Sequence, residues 1–180
     1  MSKTIIIDPG HGGADPGAVR DAVREKDINL AVALSVGAIL AELGYAVRYT
    51  RKADVEVALT DRPKAAARAD AFISIHCNAA ENPVAAGIET WYQKTDLRGA
   101  SLAKAIQFKA VAATGAKSRL VKAATDNIYV LRKAPCPAAL IEMGFLSNEA
   151  ERGLLTTEPY QQAIARAIAE GIDQYLKINL

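Results

Sequence analysis

The chain contains two histidines, His11 and His76, and each stands at the end of an apolar run. His11 follows Ile5-Ile6-Ile7-Asp8-Pro9-Gly10, and His76 closes Ala71-Phe72-Ile73-Ser74-Ile75. Runs rich in β-branched residues suit strands buried on both faces. Pro9 has no N–H to donate and Gly10 permits turn geometry, so the first run must stop just before His11. Open α/β sheets bind ligands at the carboxyl ends of their strands. Two strand-terminal histidines therefore predict one shared site.

Two acidic residues can join them. Glu25 follows His11 by 14 positions, at the entrance to a long helical stretch. Glu142 sits in Ala138-Ala139-Leu140-Ile141-Glu142-Met143, at the same place along its run as His76. An ionised carboxylate at the end of a buried strand costs several kcal/mol unless it is paired or bound to a metal. Catalytic zinc supplies a reason, because it takes three protein ligands, His2Glu among the known sets, and leaves one position for water. His11, His76 and either glutamate complete such a set, and the other glutamate is then free to accept a proton. Spacing alone does not choose between Glu25 and Glu142. The His-Glu-x-x-His helix signature is absent.

The elements that must carry these residues alternate. Strands are predicted at Ile5–Ile7, Tyr45–Thr50, Ala71–His76, Gly87–Tyr92, Ile128–Leu131 and Ala138–Met143. Helices are predicted at 28–43, capped by Asp27 and ended by Gly44, and from Pro63 to Ala69 after a Thr60 cap. A third runs over 101–114. Asn148 and Glu151 have capping-box spacing for a short helix, and Thr157 with Pro159 opens the last, to about Leu176. Ala14 to Lys26 reads as a polar loop. This alternation predicts an α/β fold: a three-layer, mostly parallel, twisted six-stranded sheet with helices on both faces.

At 180 residues, with 51% hydrophobic and 23% charged residues, the chain reads as one domain over 1–180. Net charge is +2 and no basic run of the nucleic-acid-binding kind is present. No apolar run approaches bilayer-spanning length, so no membrane insertion is expected. Asp8-Pro9 interrupts the N-terminal apolar run, so no signal peptide is read there. The glycine-rich loop after the first strand lacks both nucleotide-binding patterns. Cys77 and Cys136 read as buried free thiols, with Cys77 facing away from His76.

In order along the chain, IIIDPGHGGADPGA, EKD, LTDRPKAA, ADAFISIHCNA, GIETWY, YVLR and PAALIEMGFLSN resemble successive blocks of one family. That family is the zinc-dependent N-acetylmuramoyl-L-alanine amidases of bacterial autolysins and phage endolysins, and the resemblance covers Ile5 to about Tyr175. It implies a Zn2+ cofactor held by His11, Glu25 and His76, with Glu142 as the catalytic carboxylate. The implied reaction is hydrolysis of the amide between N-acetylmuramic acid and L-alanine in peptidoglycan. The implied place of action is the bacterial cell wall, reached by lysis, non-classical export or as part of a longer enzyme. Relatives that carry an autoinhibitory segment insert it after the GIETWY-like strand. Tyr92 to Ser101 leaves no room for one, so no activator protein is expected.

Some readings stay at the level of single residues. Asn78 and Arg132 are candidate substrate contacts, Arg132 because its fork suits carboxylates. Asp8 is assigned to the Pro9-Gly10 turn, and Trp91 and Tyr92 to an amphipathic edge strand. Many relatives carry Arg-Gly-Val-Lys where this chain reads Arg119-Leu120-Val121-Lys122. Two other functions fit the same residues in part: a zinc carboxypeptidase acting on a wall peptide, and a non-catalytic wall-binding module.

Overall fold

The computed structural model describes residues 2–178. Its order is β1 (Thr4–Pro9), β2 (Val19–Arg20), β3 (Val23–Arg24), α1 (Glu25–Glu42), β4 (Ala46–Tyr49) and β5 (Ala71–Asn78). It continues with β6 (Ile88–Gln93), α2 (Leu97–Thr114), β7 (Ser118–Ala124), α3 (Tyr129–Lys133), β8 (Ala138–Phe145), α4 (Glu149–Leu155) and α5 (Glu158–Ile178). The main sheet has six strands in the order β4-β1-β5-β8-β6-β7. Neighbours run parallel except β6 and β8. The α/β architecture is the expected one.

The two faces of the sheet differ. Ile5 and Ile7, Ile73 and Ile75, and Ile141 and Met143 alternate onto one face, which packs against α1, α2 and α5. Ile6, Phe72 and Leu140 point the other way, onto the short α3 and a 3-10 turn at Pro63–Ala66. Strand alternation places Asp8, Ser74, His76, Glu142 and Glu89 on this second face. The long helices supply the stabilising burial, and the thinly covered face keeps the polar strand ends within reach of a ligand.

Several boundaries differ from expectation, each for a local reason. The Ile128–Leu131 run is the start of helix α3, not a strand. Adjacent Val130 and Leu131 are both buried, which one helical turn against Ala66 permits and an alternating strand does not. The sixth strand is instead β7, an edge strand whose alternation is broken by a bulge at Leu120 and which therefore lacks a period-two pattern. It also moves β6 one place in from the sheet edge.

Helix α1 starts at Glu25 with no side-chain cap, because Ala18 and Pro16 carbonyls accept the Glu25 and Lys26 N–H groups. Asp27 lies inside its first turn, paired with Arg24 at 2.7 Å. Asp96 caps α2, so that helix begins at Leu97 rather than Ser101. The turn after Thr60 is only the 3-10 segment Pro63–Ala66. Asn148 does cap α4, but the Glu151 carboxylate leaves the box open and accepts from Gly87 and Phe145 N–H, both at 2.7 Å. The segment read as a loop before Glu25 contains the β2–β3 hairpin. Its turn residues Asp21 and Ala22 both have positive φ (49° and 65°), as a type I′ turn requires.

Candidate metal and catalytic centre

The structure brings His11, Glu25 and His76 together although they lie on a loop, a helix start and a strand end. Their nearest ligand atoms all fall within 4.8 Å of one another. The two imidazole rings stand edge to face with centroids 5.1 Å apart. Glu25 is central: Oε2 lies 3.1 Å from His11 Nε2, and Oε1 lies 3.1 Å from His76 Nδ1. Three donors fix that carboxylate. Ala18 N–H reaches Oε2 at 2.9 Å, while Cys77 N–H and Asn29 Nδ2 each reach Oε1 at 3.1 Å.

The loop that carries His11 is braced by two buried arginines. Arg51 donates to the Pro9, Gly10 and Lys26 carbonyls at 2.9–3.1 Å. Arg62 donates to the Pro9 and His11 carbonyls, each at 2.8 Å. His11 itself has φ 60°, an uncommon backbone state that the bracing holds in place. Gly10 is required by close approach, since a Cβ there would run into the His76 ring.

The outer partners fix which ring nitrogens can bind a cation. His11 Nδ1 lies 2.8 Å from the Asp15 carboxylate, which only accepts, so the proton is on Nδ1 and Nε2 offers a lone pair. Ser74 Oγ donates to Asp8 Oδ2 at 2.7 Å. It can therefore only accept from His76 Nε2, 3.1 Å away, which leaves the Nδ1 lone pair facing inward. Asp8 is wholly buried and holds Thr50, Arg62 and Ser74. It belongs to the support of His76, a correction to its assignment as a turn residue.

Four electron-rich atoms thus face one another, and the arrangement calls for positive charge between them. Protons can supply it. Burial disfavours the His11 imidazolium, but the hydrogen bond and charge of Glu25, then of Asp15, outweigh it and push His11 up to about 9. His76 is raised against the effect of burial by Glu25 and the charge of Glu142. Burial also raises Glu25, but the two histidines hold it far below the usual carboxylate range. A divalent cation would meet the same demand, and the donor set of two imidazoles and a carboxylate suits zinc.

Glu142 is the register partner of His76 on the neighbouring strand. Its Oε2 is buried with no hydrogen-bond partner among the described residues. Burial, then the charges of Glu25 and Glu89 acting against His76, push its carboxyl up to about 7. Such a group can hold and release a proton near neutrality. A cleft of about 460 Å³ opens beside the cluster, lined by Val57, Leu59, Ile128 and Tyr129 together with His11, Arg62 and His76.

The other candidates fall outside the cluster. Asn78 donates to Glu89 Oε1 at 3.1 Å and accepts from Ala79 N–H, so it holds the strand end and a neighbouring carboxylate. Arg132 is exposed on α3 with its guanidinium 5.4 Å from the Tyr129 ring centroid, and it does not line the cleft. Cys77 and Cys136 are free and buried. Glu89, Arg51 and Arg62 were not singled out from sequence. Their only signal was charge beside apolar runs, which more often marks a solvated position.

A mostly parallel α/β sheet thus gathers two imidazoles and a carboxylate that could hold a metal ion, with a second carboxylate on the strand beside them. The N-acetylmuramoyl-L-alanine amidase family matches residues 5–174. The endolysin of Bacillus phage SPP1 is 38% identical over 189 residues, covering 99% of this chain and 68% of that protein. The amidase LytC of Bacillus subtilis is 35% identical over 98% of this chain, which spans only 36% of LytC. The crystal structure of an N-acetylmuramoyl-L-alanine amidase from Clostridium difficile 630 superposes with a TM-score of 0.93 at 36% identity, covering 98% and 97% of the two chains. The chain belongs to the N-acetylmuramoyl-L-alanine amidase family.

Proposed function

We propose that the chain is a zinc-dependent amidase that cleaves the bond between the lactyl group of N-acetylmuramic acid and L-alanine in peptidoglycan. The observation that carries this reading is the pairing of an inward-facing His11–Glu25–His76 set with an adjacent Glu142, whose buried Oε2 has no hydrogen-bond partner among the described residues. His11 Nε2, Glu25 and His76 Nδ1 would hold the ion. When bound, zinc would supply Lewis-acid polarisation of the scissile carbonyl and make a nearby water easier to deprotonate.

The chain's own residues do the rest. Glu142 takes the proton of the attacking water and passes it to the departing amine of L-alanine, which its near-neutral pKa suits in both directions. Asp15 and Ser74 keep the two imidazoles in the tautomers that face inward. The apolar cleft walls exclude bulk water from one side of the reacting group. The proposed site of action is the bacterial cell wall, and no helix of the described residues is long and apolar enough to cross a membrane.

Mass spectrometry of purified peptidoglycan digested by the zinc-loaded chain tests the reading. Free stem peptides with a new L-alanine amino terminus, beside peptide-free glycans, are expected. Shortened peptides still attached to glycan would make it a carboxypeptidase, and an unchanged wall would make it a binding module.

A further inference from the structure

Residues three apart along a strand point to opposite faces of a sheet. Arg119 and Lys122 do not. The register between β6 and β7 slips between Ile88 and Thr90, and Leu120, with φ 69°, occupies the extra position. This bulge returns Lys122 to the face that Arg119 occupies. Both then reach one carboxylate: Glu89 Oε2 lies 2.6 Å from Arg119 Nε and 2.6 Å from Lys122 Nζ. Glu89 is itself the register partner of Glu142 across the antiparallel β6–β8 pair.

Neutralising Glu89 requires one cation, and two are present. Each head is held in orientation by a ring, Arg119 at 4.8 Å from the Phe145 centroid and Lys122 at 5.0 Å from that of Trp91. Each side chain is nonetheless 31% exposed. Arg119 spends only Nε on Glu89, and among the described residues neither Nη1 nor Nη2 has an acceptor. The group carries one net positive charge (two cations less one carboxylate) beside the proposed catalytic Glu142. Two open guanidinium nitrogens and an ammonium, gathered on Glu89, whose strand lies one spacing of ~5 Å from that of Glu142, suit a carboxylate. A peptide advances roughly 3.5 Å per residue, so that carboxylate would lie one or two residues beyond the bond being cut.

We propose that Arg119 and Lys122, set by the Leu120 bulge and anchored on Glu89, form a subsite for a free carboxylate on the peptide side of the substrate. The inference rests on the amidase reading of Glu142. It makes the enzyme selective between peptides whose carboxyl group is free and those in which it is an amide.

Two soluble substrates test it: N-acetylmuramoyl-L-alanyl peptides identical except that the residue after L-alanine carries either a free carboxylate or its primary amide. The zinc-loaded chain is expected to favour the carboxylate in kcat/KM by about ten- to a hundredfold, the usual worth of a charge-assisted contact. Arg119→Gln and Lys122→Gln each leave Glu89 one cation, so the fold is kept. Each should lower the preference towards one, chiefly by raising KM for the carboxylate substrate. Equal use of both substrates by the unaltered chain, or variants that lose equally on both, would overturn the subsite. If the unaltered chain cleaves neither, the amidase reading falls. The subsite is then decided by calorimetric binding of the same two peptides: tighter carboxylate binding that Lys122→Gln abolishes upholds it, and equal affinities overturn it.

Discussion

Glu142 and His76 are register partners on adjacent parallel strands, both pointing to the thinly covered face of the sheet. Glu25 reaches the same place from the start of α1 and lies within 3.1 Å of both histidines, whereas no described residue hydrogen-bonds Glu142 Oε2. Two carboxylates beside one site are thus held differently, and they should fail differently. Glu25→Gln exchanges an anionic ligand for a neutral amide and is expected to purify poor in zinc. Glu142→Gln should keep close to one zinc per chain while losing about 10²-fold or more in turnover. Metal analysis beside a peptidoglycan assay decides it, and a zinc-free Glu142→Gln protein would reverse the roles.

The same carboxyl makes the metal-free protein sensitive to pH. Glu142 is raised from 4.5 to about 7, chiefly by burial. Between those values the folded chain binds more protons than the unfolded one, so stability falls as pH rises. Thermal unfolding of chelator-treated protein should show a falling Tm from pH 5 to 7, and Glu142→Gln should flatten that window. Above it both proteins should keep declining, because the stabilisation from His11, raised from 6.5 to about 9, is complete below pH 6.5 and lost as pH rises through 9. A Glu142→Gln profile identical to the parent between pH 5 and 7 would contradict the burial argument.

What could be read from sequence follows the range of the forces involved. Ile5–Ile7 and Ala71–His76 announce buried strands because their whole length is apolar, and Glu142 stands out because a charge in such a strand needs an explanation. Periodicity could not show the β7 edge strand, since one extra residue at Leu120 breaks the alternation. It misassigned Ile128–Leu131 because four apolar residues suit one helical turn as well as a short strand. The bracing of the His11 loop by Arg51 and Arg62 joins residues 41 to 53 positions apart through backbone carbonyls, a contact that leaves no local pattern.

Ser74 provides a test of how the cluster is held. Its hydroxyl accepts from His76 Nε2 and donates to the buried Asp8, which Arg62 neutralises at 2.9 Å. Ser74→Ala frees the imidazole to turn or change tautomer. Competition with a chelator should show zinc bound about 10- to 100-fold more weakly, the usual cost of losing such a partner. Unchanged affinity would mean that packing against Gly10 alone orients the ring.

The connection between β6 and α2 is residues 94–96, too short to lay a covering segment over Glu142. The zinc-loaded chain should therefore release dye from labelled peptidoglycan with no added protein. Activity that emerges only with a partner present would show that the site is gated elsewhere.

Leu120 tests the device that aligns Arg119 with Lys122. Its φ of 69° brings Cβ close to the following carbonyl, a conformation costing a leucine roughly 1–2 kcal/mol. The side chain is 69% exposed, so little burial offsets that strain. Glycine has no Cβ to clash, although its freer unfolded chain returns about 0.5–1 kcal/mol of the gain. Leu120→Gly is expected to raise stability by roughly 0.5 kcal/mol while leaving the bulge in place. Leu120→Val, branched at Cβ, should lower it, because φ above zero is least tolerated there. Urea unfolding of the three proteins measures the order. If valine proves as stable as leucine and glycine gives no gain, Leu120 does not hold the left-handed conformation, and the two cations must be aligned by other means.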